Sequence, residues 1–186
     1  MKINRLALAA LLVTAASLQA HAKTPVVNHA INEAEVLTAQ QNWCKALLDI
    51  SAVHQRDGVA AATALAAKVI DSAYGYQFGV VLFKPTLTVA PQTFRTDRAG
   101  ALAYFVGGNP SYPNDTGFAL KGWKKCDVDN AAVYISGDVA MTMGNVRFTG
   151  PDGTVTTVDK TWSFAKDDAG QLRIVVHHSS LPYAAR

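Results

Sequence analysis

Residues Val158–Phe164 read VDKTWSF, and this stretch decides the fold. Side chains of a strand alternate between its two faces, so Val, Lys, Trp and Phe share one face and Asp, Thr and Ser the other. Lys160 is therefore the only charge on an otherwise apolar face. Burying an unpaired ammonium costs several kcal/mol. We therefore expect this face to line a cavity that is wet or that holds an anion.

The rest of the chain predicts helices followed by hairpin-linked strands. Apolar residues recur at helical spacing over Asn32–Gln55 and Val59–Ala73, which Asp57-Gly58 separates, and a short helix is predicted over Asp97–Phe105 with Thr96 as its N-cap. This order predicts one α+β domain, a curved antiparallel sheet with helices on one side. The predicted strands are Val80–Phe83, Thr86–Ala90, Gly117–Lys125, Ala131–Ser136, Val139–Thr149, Thr154–Lys166 and Leu172–Ser180.

The start of the chain resembles a signal peptide. Lys2 and Arg5 precede an apolar run from Leu6 to Leu18. Ala20-His21-Ala22 has the A-x-A form of a cleavage site. The run is too short to span a bilayer, which takes ~20 residues. We therefore predict a signal peptide over residues 1–22, a single domain over residues 23–186 and a periplasmic or secreted location.

Charge and cysteine usage exclude several partners. Removing Lys2 and Arg5 with the signal lowers the net charge of +3 by two, and no basic cluster with interleaved aromatics remains, so we expect no nucleic acid partner. An oxidising compartment permits a disulfide between Cys44 and Cys126, although Cys44 also fits a helix as a small apolar residue. Neither cysteine has the spacing of a zinc ligand, so we expect no metal and no cofactor.

Lys160 and the histidines near the end of the chain are the candidate binding groups. His178 has the parity of Ile174 and is expected on the apolar face with Lys160, whereas His177 should point to the opposite face. Only a bulge could bring both histidines to one ligand. The alternatives are structural: each histidine could be a satisfied core residue, and the Lys160 stem could snorkel to water.

Four aromatic residues and one arginine complete the candidate ligand site. Trp162, Tyr74, Tyr76 and Tyr104 could supply apolar walls for a ligand, or could belong to the core. Arg147 lies near a strand end and could line the cavity or be an edge cation. We therefore treat all five as candidate ligand contacts.

Catalytic chemistry has weaker support. General acid–base catalysis needs a carboxylate or histidine in a dry pocket, and His178, Asp97 and Asp115 are the candidates. Asp97 is also explained as a first-turn helix charge. Ser179 is adjacent to a histidine, but neighbouring strand residues point apart, so a local Ser–His pair is not expected. The chain also lacks a G-x-S-x-G elbow, a P-loop and a G-x-G-x-x-G motif.

The last strands are apolar on nearly both faces. Ile174 and Val175 point to opposite sides, and Met141 and Met143 oppose Thr142 in the preceding hairpin. A half-exposed antiparallel sheet would alternate more cleanly between apolar and polar residues. We therefore expect a homo-oligomer, a dimer or larger, that forms through the sheet.

Several motifs occur in one order between about Glu33 and Tyr183. They are Trp43 in the long helix, Tyr74-Gly75-Tyr76, Leu82–Thr86, Phe94-Arg95-Thr96, Tyr104–Gly108, Asp115–Ala119, Met143-Gly144-Asn145 and His177–Tyr183. Together they resemble a secreted bacterial branch of the nuclear transport factor 2-like superfamily. The chain is similar there to the calcium/calmodulin-dependent kinase II association domain and to SnoaL-like proteins. The resemblance implies a strongly curved mixed sheet wrapped around N-terminal helices, a cone with an internal pocket.

The resemblance also bears on the site. The kinase association domain lines its pocket with basic residues of the last strands, and Lys160 and His178 match two of those positions. Gly144 or Met143 stands where a third arginine would fall. Enzymatic relatives, the ketosteroid isomerases and polyketide cyclases, use a pocket Asp as base, and no Asp here is matched to it.

These observations favour a periplasmic protein that binds a small anionic or polar-aromatic molecule and is not an enzyme. One alternative is an isomerase or cyclase that uses His178 or Asp97 as its base. A second alternative is a non-catalytic oligomerisation module, because one fold hosts many functions.

Overall fold

The computed structural model describes residues 24, 26 and 28–185. The signal peptide predicted over residues 1–22 lies outside these residues and stays a prediction. No helix in this described part of the chain is both long and apolar enough to cross a membrane. The elements in chain order are α1 (Glu33–Ala73), β1 (Leu82–Lys84), α2 (Arg98–Val106), β2 (Lys125–Ser136), β3 (Val139–Thr149), β4 (Val155–Lys166) and β5 (Leu172–Ser180).

A capping box starts α1. The Asn32 side chain accepts from the Glu35 N–H at 3.0 Å, and the Glu35 carboxylate accepts from the Asn32 N–H at 2.8 Å. Gly58 has φ 84° and ψ −178°, which breaks the helical path without ending the helix. Because glycine has no Cβ, it adopts this positive φ at little cost. The two predicted helices are therefore confirmed, as two arms of α1 joined at a kink.

The five strands form one mixed sheet in the order β1-β5-β4-β3-β2. β1 runs parallel to β5, and the other neighbouring pairs are antiparallel. The inner face of the sheet packs on α1 and α2. This arrangement confirms the α+β cone with a mixed sheet. The buried core includes Trp43, Leu47 and Ile50 of α1 and Phe148, Val158, Phe164 and Ile174 of the sheet.

Two predicted strands and one predicted cap are wrong. Thr86–Ala90 forms turns, because Pro85 and Pro91 flank it and supply no N–H to a sheet ladder. Gly117–Lys125 contains a 3-10 turn in place of the strand, and only its last residue begins β2. The N-cap of α2 is Asp97 rather than Thr96, since the Asp97 carboxylate accepts from the Gly100 N–H at 2.8 Å.

A disulfide ties the helix layer to the sheet. Cys44 of α1 is bonded to Cys126 of β2, across a sequence separation of 82 residues. The structure therefore selects the disulfide from the two alternatives left open for Cys44. The bond joins elements that are distant in the chain, so it constrains the unfolded state strongly.

Arg95 and Asp115 form a buried ion pair under the loop after α2. Their side chains are 2% and 3% exposed. Arg95 Nε and Nη2 donate to Asp115 at 2.7–3.0 Å, and Nη1 donates to the carbonyls of Gln92 and Phe94 at 2.6 and 2.9 Å. All three nitrogens of the guanidinium donate hydrogen bonds. Asp115 therefore anchors this loop to Arg95.

Replacing Arg95 with alanine should lower the free energy of unfolding by about 3–5 kcal/mol, because Asp115 would be left buried without its partner. Urea unfolding followed by circular dichroism measures this. Arg98→Ala is the matched control, because Arg98 and Asp71 form a pair whose side chains are 44% and 55% exposed. Exposed pairs contribute about 0–1 kcal/mol. Equal losses in the two variants would contradict the assignment.

Candidate functional site

A β-bulge in β5 decides which histidine faces the interior. Phe164 of β4 lies opposite Ile174, but the preceding residue, Ser163, lies opposite Val176. Val175 is thus an extra residue in β5, and an extra residue reverses the alternation of side chains. His177 is consequently 2% exposed on the inner face, whereas the next residue points outward and is exposed.

The prediction that His178 shares the inner face with Lys160 is therefore wrong. Trp162 of β4 lies opposite His177, and Thr161 lies opposite His178 on the outer face. Nothing in the residue types of β5 marks the bulge, so strict alternation selected the wrong histidine.

Lys160, His177, Tyr74 and Trp43 form a buried chain of polar groups. Lys160 Nζ is 2.6 Å from His177 Nε2, and His177 Nδ1 is 2.8 Å from the Tyr74 hydroxyl. Trp43 Nε1 donates to the Tyr74 hydroxyl oxygen at 2.9 Å. All four residues are at most 4% exposed. The chain joins α1 to the inner face of β4 and β5.

Aromatic rings replace water around Lys160. Its Nζ lies 4.7 Å from the ring centre of Trp43, 5.1 Å from that of Trp162 and 6.0 Å from that of Phe148. This burial lowers the pKa of Lys160 well below its usual value. The Lys160 amine therefore does not snorkel to the surface, and its polar partner within the protein is His177.

Burial also sets the protonation of the other two titratable groups. It lowers the pKa of His177 well below its usual value, and the nearby Lys160 and His178 lower it further. It raises the pKa of Tyr74, which the hydrogen bond from Trp43 partly opposes. Each of these shifts favours the uncharged form of its group.

Three hydroxyl groups gather beside this chain. Ser179 is 1% exposed and lies opposite Lys160 in the sheet. Its Oγ is 2.5 Å from the Oγ1 of half-buried Thr86. Burial raises the pKa of the third hydroxyl, that of Tyr104, and hydrogen bonds with Leu87 and Thr86 act in the opposite direction. The predictions missed Thr86 and Ser179, because the inward direction of Ser179 depends on the bulge.

The other candidate residues fall into two groups. Trp162 packs against Lys160, and Tyr76 stacks on Tyr74 at 5.9 Å while its hydroxyl donates to the Arg95 carbonyl at 3.0 Å. Two candidates lie away from Lys160. Arg147 is on the outer side of the sheet, paired with Asp129 at 3.1 Å, and Asp97 caps α2.

One cavity next to Trp43 and Tyr74 is small. A cavity of about 10 Å³ is bounded by Trp43, Tyr74 and Phe105 together with aliphatic residues of α1. A cavity of roughly 10–15 Å³ on this measure holds about one water molecule. It is too small for a polar-aromatic ligand. Nowhere in the described ranges do three or more His, Cys, Asp or Glu side chains form a group that could hold a metal ion.

Comparisons with known proteins identify close relatives. The family model "metal-independent carbonic anhydrase" matches residues 34–181. A metal-independent carbonic anhydrase from Nostoc sp. is 62% identical over 161 residues, which cover 87% of this chain and 78% of that protein. The crystal structure of a cyanobacterial iota-carbonic anhydrase complexed with bicarbonate has a TM-score of 0.86 and 61% identity, over 88% of this chain and 100% of that one.

More distant structures share the fold. A calcium/calmodulin-dependent protein kinase II association domain from Xanthomonas campestris is 23% identical, with a TM-score of 0.54 over 83% of this chain and 91% of that one. This likeness concerns the fold alone. It confirms the nuclear transport factor 2-like fold, which the cyanobacterial carbonic anhydrase also has.

The expected function is corrected by these relatives. A periplasmic binding protein without catalysis is the wrong class, because the family match and the 62% identical relative are carbonic anhydrases. The isomerase or cyclase alternative has no support among them. The match over residues 34–181 spans most of the chain, and the chain belongs to the metal-independent carbonic anhydrase family.

Proposed function

We propose that this protein catalyses the reversible hydration of carbon dioxide to bicarbonate, at the hydroxyls of Ser179, Thr86 and Tyr104. The family supports the reaction. One observation carries the location: the buried Lys160–His177 pair, whose nitrogens are 2.6 Å apart, lies beside Ser179, which is opposite Lys160 on the inner face. A base with a lowered pKa next to hydrogen-bond donors is an arrangement suited to acid–base catalysis.

The reaction needs one proton acceptor and donors for one new anion. The oxygen of a water molecule attacks the carbon of CO₂, and an electron pair moves to one CO₂ oxygen. The water loses a proton to the amine of Lys160, directly or through a hydroxyl, and the product is bicarbonate. Ser179, Thr86 and Tyr104 donate hydrogen bonds to the oxygen on which charge develops. The ammonium then returns its proton to solvent.

Burial assists both halves of this step. Desolvation disfavours the charged form of Lys160 and so favours the free amine, which can accept a proton. The faces of Trp43 and Trp162 then stabilise the ammonium while it exists. The bicarbonate bound to the cyanobacterial relative supports the expectation, drawn from the sequence, that this protein binds a small anion.

Carbon dioxide hydration by the purified protein, followed by stopped-flow with a pH indicator after dialysis against a chelator, tests the proposal. Ser179→Ala should lower kcat by about 10²-fold, because one donor to the developing anion is lost. Ser180→Ala is the matched control, since Ser180 lies opposite Asp159 rather than Lys160. No rate above buffer for the parent protein, or equal losses in both variants, would refute the proposal.

We also propose that the protein is exported and associates through the outer face of the sheet. The signal-like start and the Cys44–Cys126 bond support export. Tyr134, Met141 and Met143 are 61%, 43% and 62% exposed, and Tyr134 lies opposite Met141, so they form an apolar patch on β2 and β3. Cell fractionation tests the location, and light scattering on the Met143→Glu variant tests the association.

A further inference from the structure

The hydrogen-bonded chain from Trp43 to Lys160 can run in one direction only. An indole N–H is a donor with no acceptor capacity, so the Tyr74 oxygen must accept from Trp43. The other neighbour of that oxygen is His177 Nδ1. If Nδ1 carried the proton, it would donate to Tyr74 and leave the buried Tyr74 hydroxyl without an acceptor, which is unfavourable. Tyr74 must therefore donate to His177.

The same accounting fixes the next link. A neutral imidazole that accepts at Nδ1 carries its proton on Nε2, and this N–H points at Lys160 Nζ, 2.6 Å away. An ammonium group has no lone pair and cannot accept that hydrogen bond. Lys160 must therefore be a free amine when the chain is fully satisfied.

The groups around the pair are consistent with the uncharged state. Tyr74, at the end of α1, and His178, in β5, are the titratable groups that act on the Lys160–His177 pair. Trp43, Trp162 and Phe148 face Lys160 from α1, β4 and β3 and carry no charge. No carboxylate of the described residues is hydrogen-bonded to either member.

We propose that the indole N–H of Trp43, acting through Tyr74, sets the direction of this chain, which holds His177 as its Nε2–H tautomer and Lys160 as a free amine. Trp43 and Tyr74 are then positioning residues: they keep Lys160 uncharged without contacting the substrate. This role in catalysis rests on the proposed function, whereas the tautomer of His177 does not.

Long-range ¹H–¹⁵N correlation spectra of the full-length protein, labelled with ¹⁵N at histidine, test the direction of the hydrogen bonds from Trp43 to Lys160. The protein has five histidines, so the His177→Gln variant identifies which signal belongs to His177. We expect the Nε2–H pattern for His177 at neutral pH in the parent protein. An Nδ1–H pattern or an imidazolium at that pH overturns the proposal.

Trp43→Phe and Trp162→Phe are a matched pair of variants. Both tryptophans are buried against Lys160, and their rings are 5.7 Å apart. The difference is that the Trp162 Nε1 has no hydrogen-bond partner among the described residues. Trp43→Phe should therefore lose the single Nε2–H pattern and give a mixture of tautomers, with a raised Lys160 pKa. Trp162→Phe should keep the Nε2–H pattern.

Equal tautomer mixtures in the two variants would mean that lost packing, rather than the indole N–H, is the cause, and would overturn the role of Trp43. Should Trp43→Phe fail to fold, Tyr74→Phe removes the donor to Nδ1 while keeping the ring. An unchanged Nε2–H pattern in Tyr74→Phe also overturns the proposal.

The rate of carbon dioxide hydration on the same samples separates this inference from the proposed function. The Nε2–H tautomer without hydration would mean that the proposed function fails while the chain direction stands. Hydration together with the Nδ1–H tautomer would mean that the proposed direction of the hydrogen bonds fails while the proposed function stands.

Discussion

Replacing Lys160 with methionine is expected to lower kcat for carbon dioxide hydration by about 10²–10⁴-fold, the usual contribution of a positioned base. Methionine fills much of the volume of the lysine stem but has no basic nitrogen. The free energy of unfolding should fall by about 1–3 kcal/mol, because the buried His177 nitrogen loses its hydrogen-bond partner. Stopped-flow rates and urea unfolding, measured on the same preparation, check both parts.

His178→Ala is the informative control for this variant. His178 is exposed on the outer face, so its loss should leave the hydration rate close to that of the parent protein. Strict strand alternation makes the opposite prediction. A loss in His178→Ala as large as that in Lys160→Met would contradict the assignment of the inner face.

Lys160 also makes the stability of the parent protein depend on pH. The pKa of Lys160 lies well below its usual 10.5 in the folded state, so below pH 10.5 the unfolded chain binds more protons. The free energy of unfolding therefore contains a part that rises with pH from the folded pKa up to 10.5 and is fully present above that. Lys160→Met removes this part. Unfolding curves between neutral pH and pH 10 should be less pH-dependent in the variant.

Removing the Cys44–Cys126 bond should have the second large effect, on stability rather than on rate. For a bond that closes a loop of 82 residues, the chain-entropy model gives about 4–5 kcal/mol. Reduction of the parent protein, or replacement of both cysteines by alanine, should lower the free energy of unfolding by roughly this amount. Urea unfolding with and without reductant measures the difference.

The double alanine variant supplies its own control, because reductant should not change its unfolding midpoint. A parent protein that unfolds at the same urea concentration with and without reductant would show that the bond contributes nothing. Since Cys44 is buried on α1, serine would add an unpaired polar group, and alanine is the better replacement.

Local patterns predicted most of the fold. The helical spacing of α1, the hairpin links between β2 and β5 and the alternation within β4 are properties of short segments. β1 is the exception. It has only three residues, and all of them pair with β5 at the other end of the chain. Thr86–Ala90 looked like a strand because its residues suit one, but no neighbouring strand pairs with it in the described part of the chain.

Gly144 shows a departure from the kinase association-domain pattern that the structure explains. Gly144 or Met143 was expected in place of a third arginine, and Gly144 lies opposite Lys160. A Cβ there would lie 2.2 Å from the Asp129 carbonyl oxygen, so a side chain cannot be accommodated without moving β2. A β-bulge between Asn130 and Ala132 lies directly opposite this position.

The residues of β4 alone predict that Lys160 lies on the apolar face of a strand, because side-chain alternation is a local property. Tertiary structure alone decided the partner of Lys160. The bulge at Val175 turns His177 inward, and α1 brings Tyr74 and Trp43 to it across more than half of the chain. Bulges depend on the register between two strands, and such contacts on packing between distant segments, so no local residue pattern encodes them.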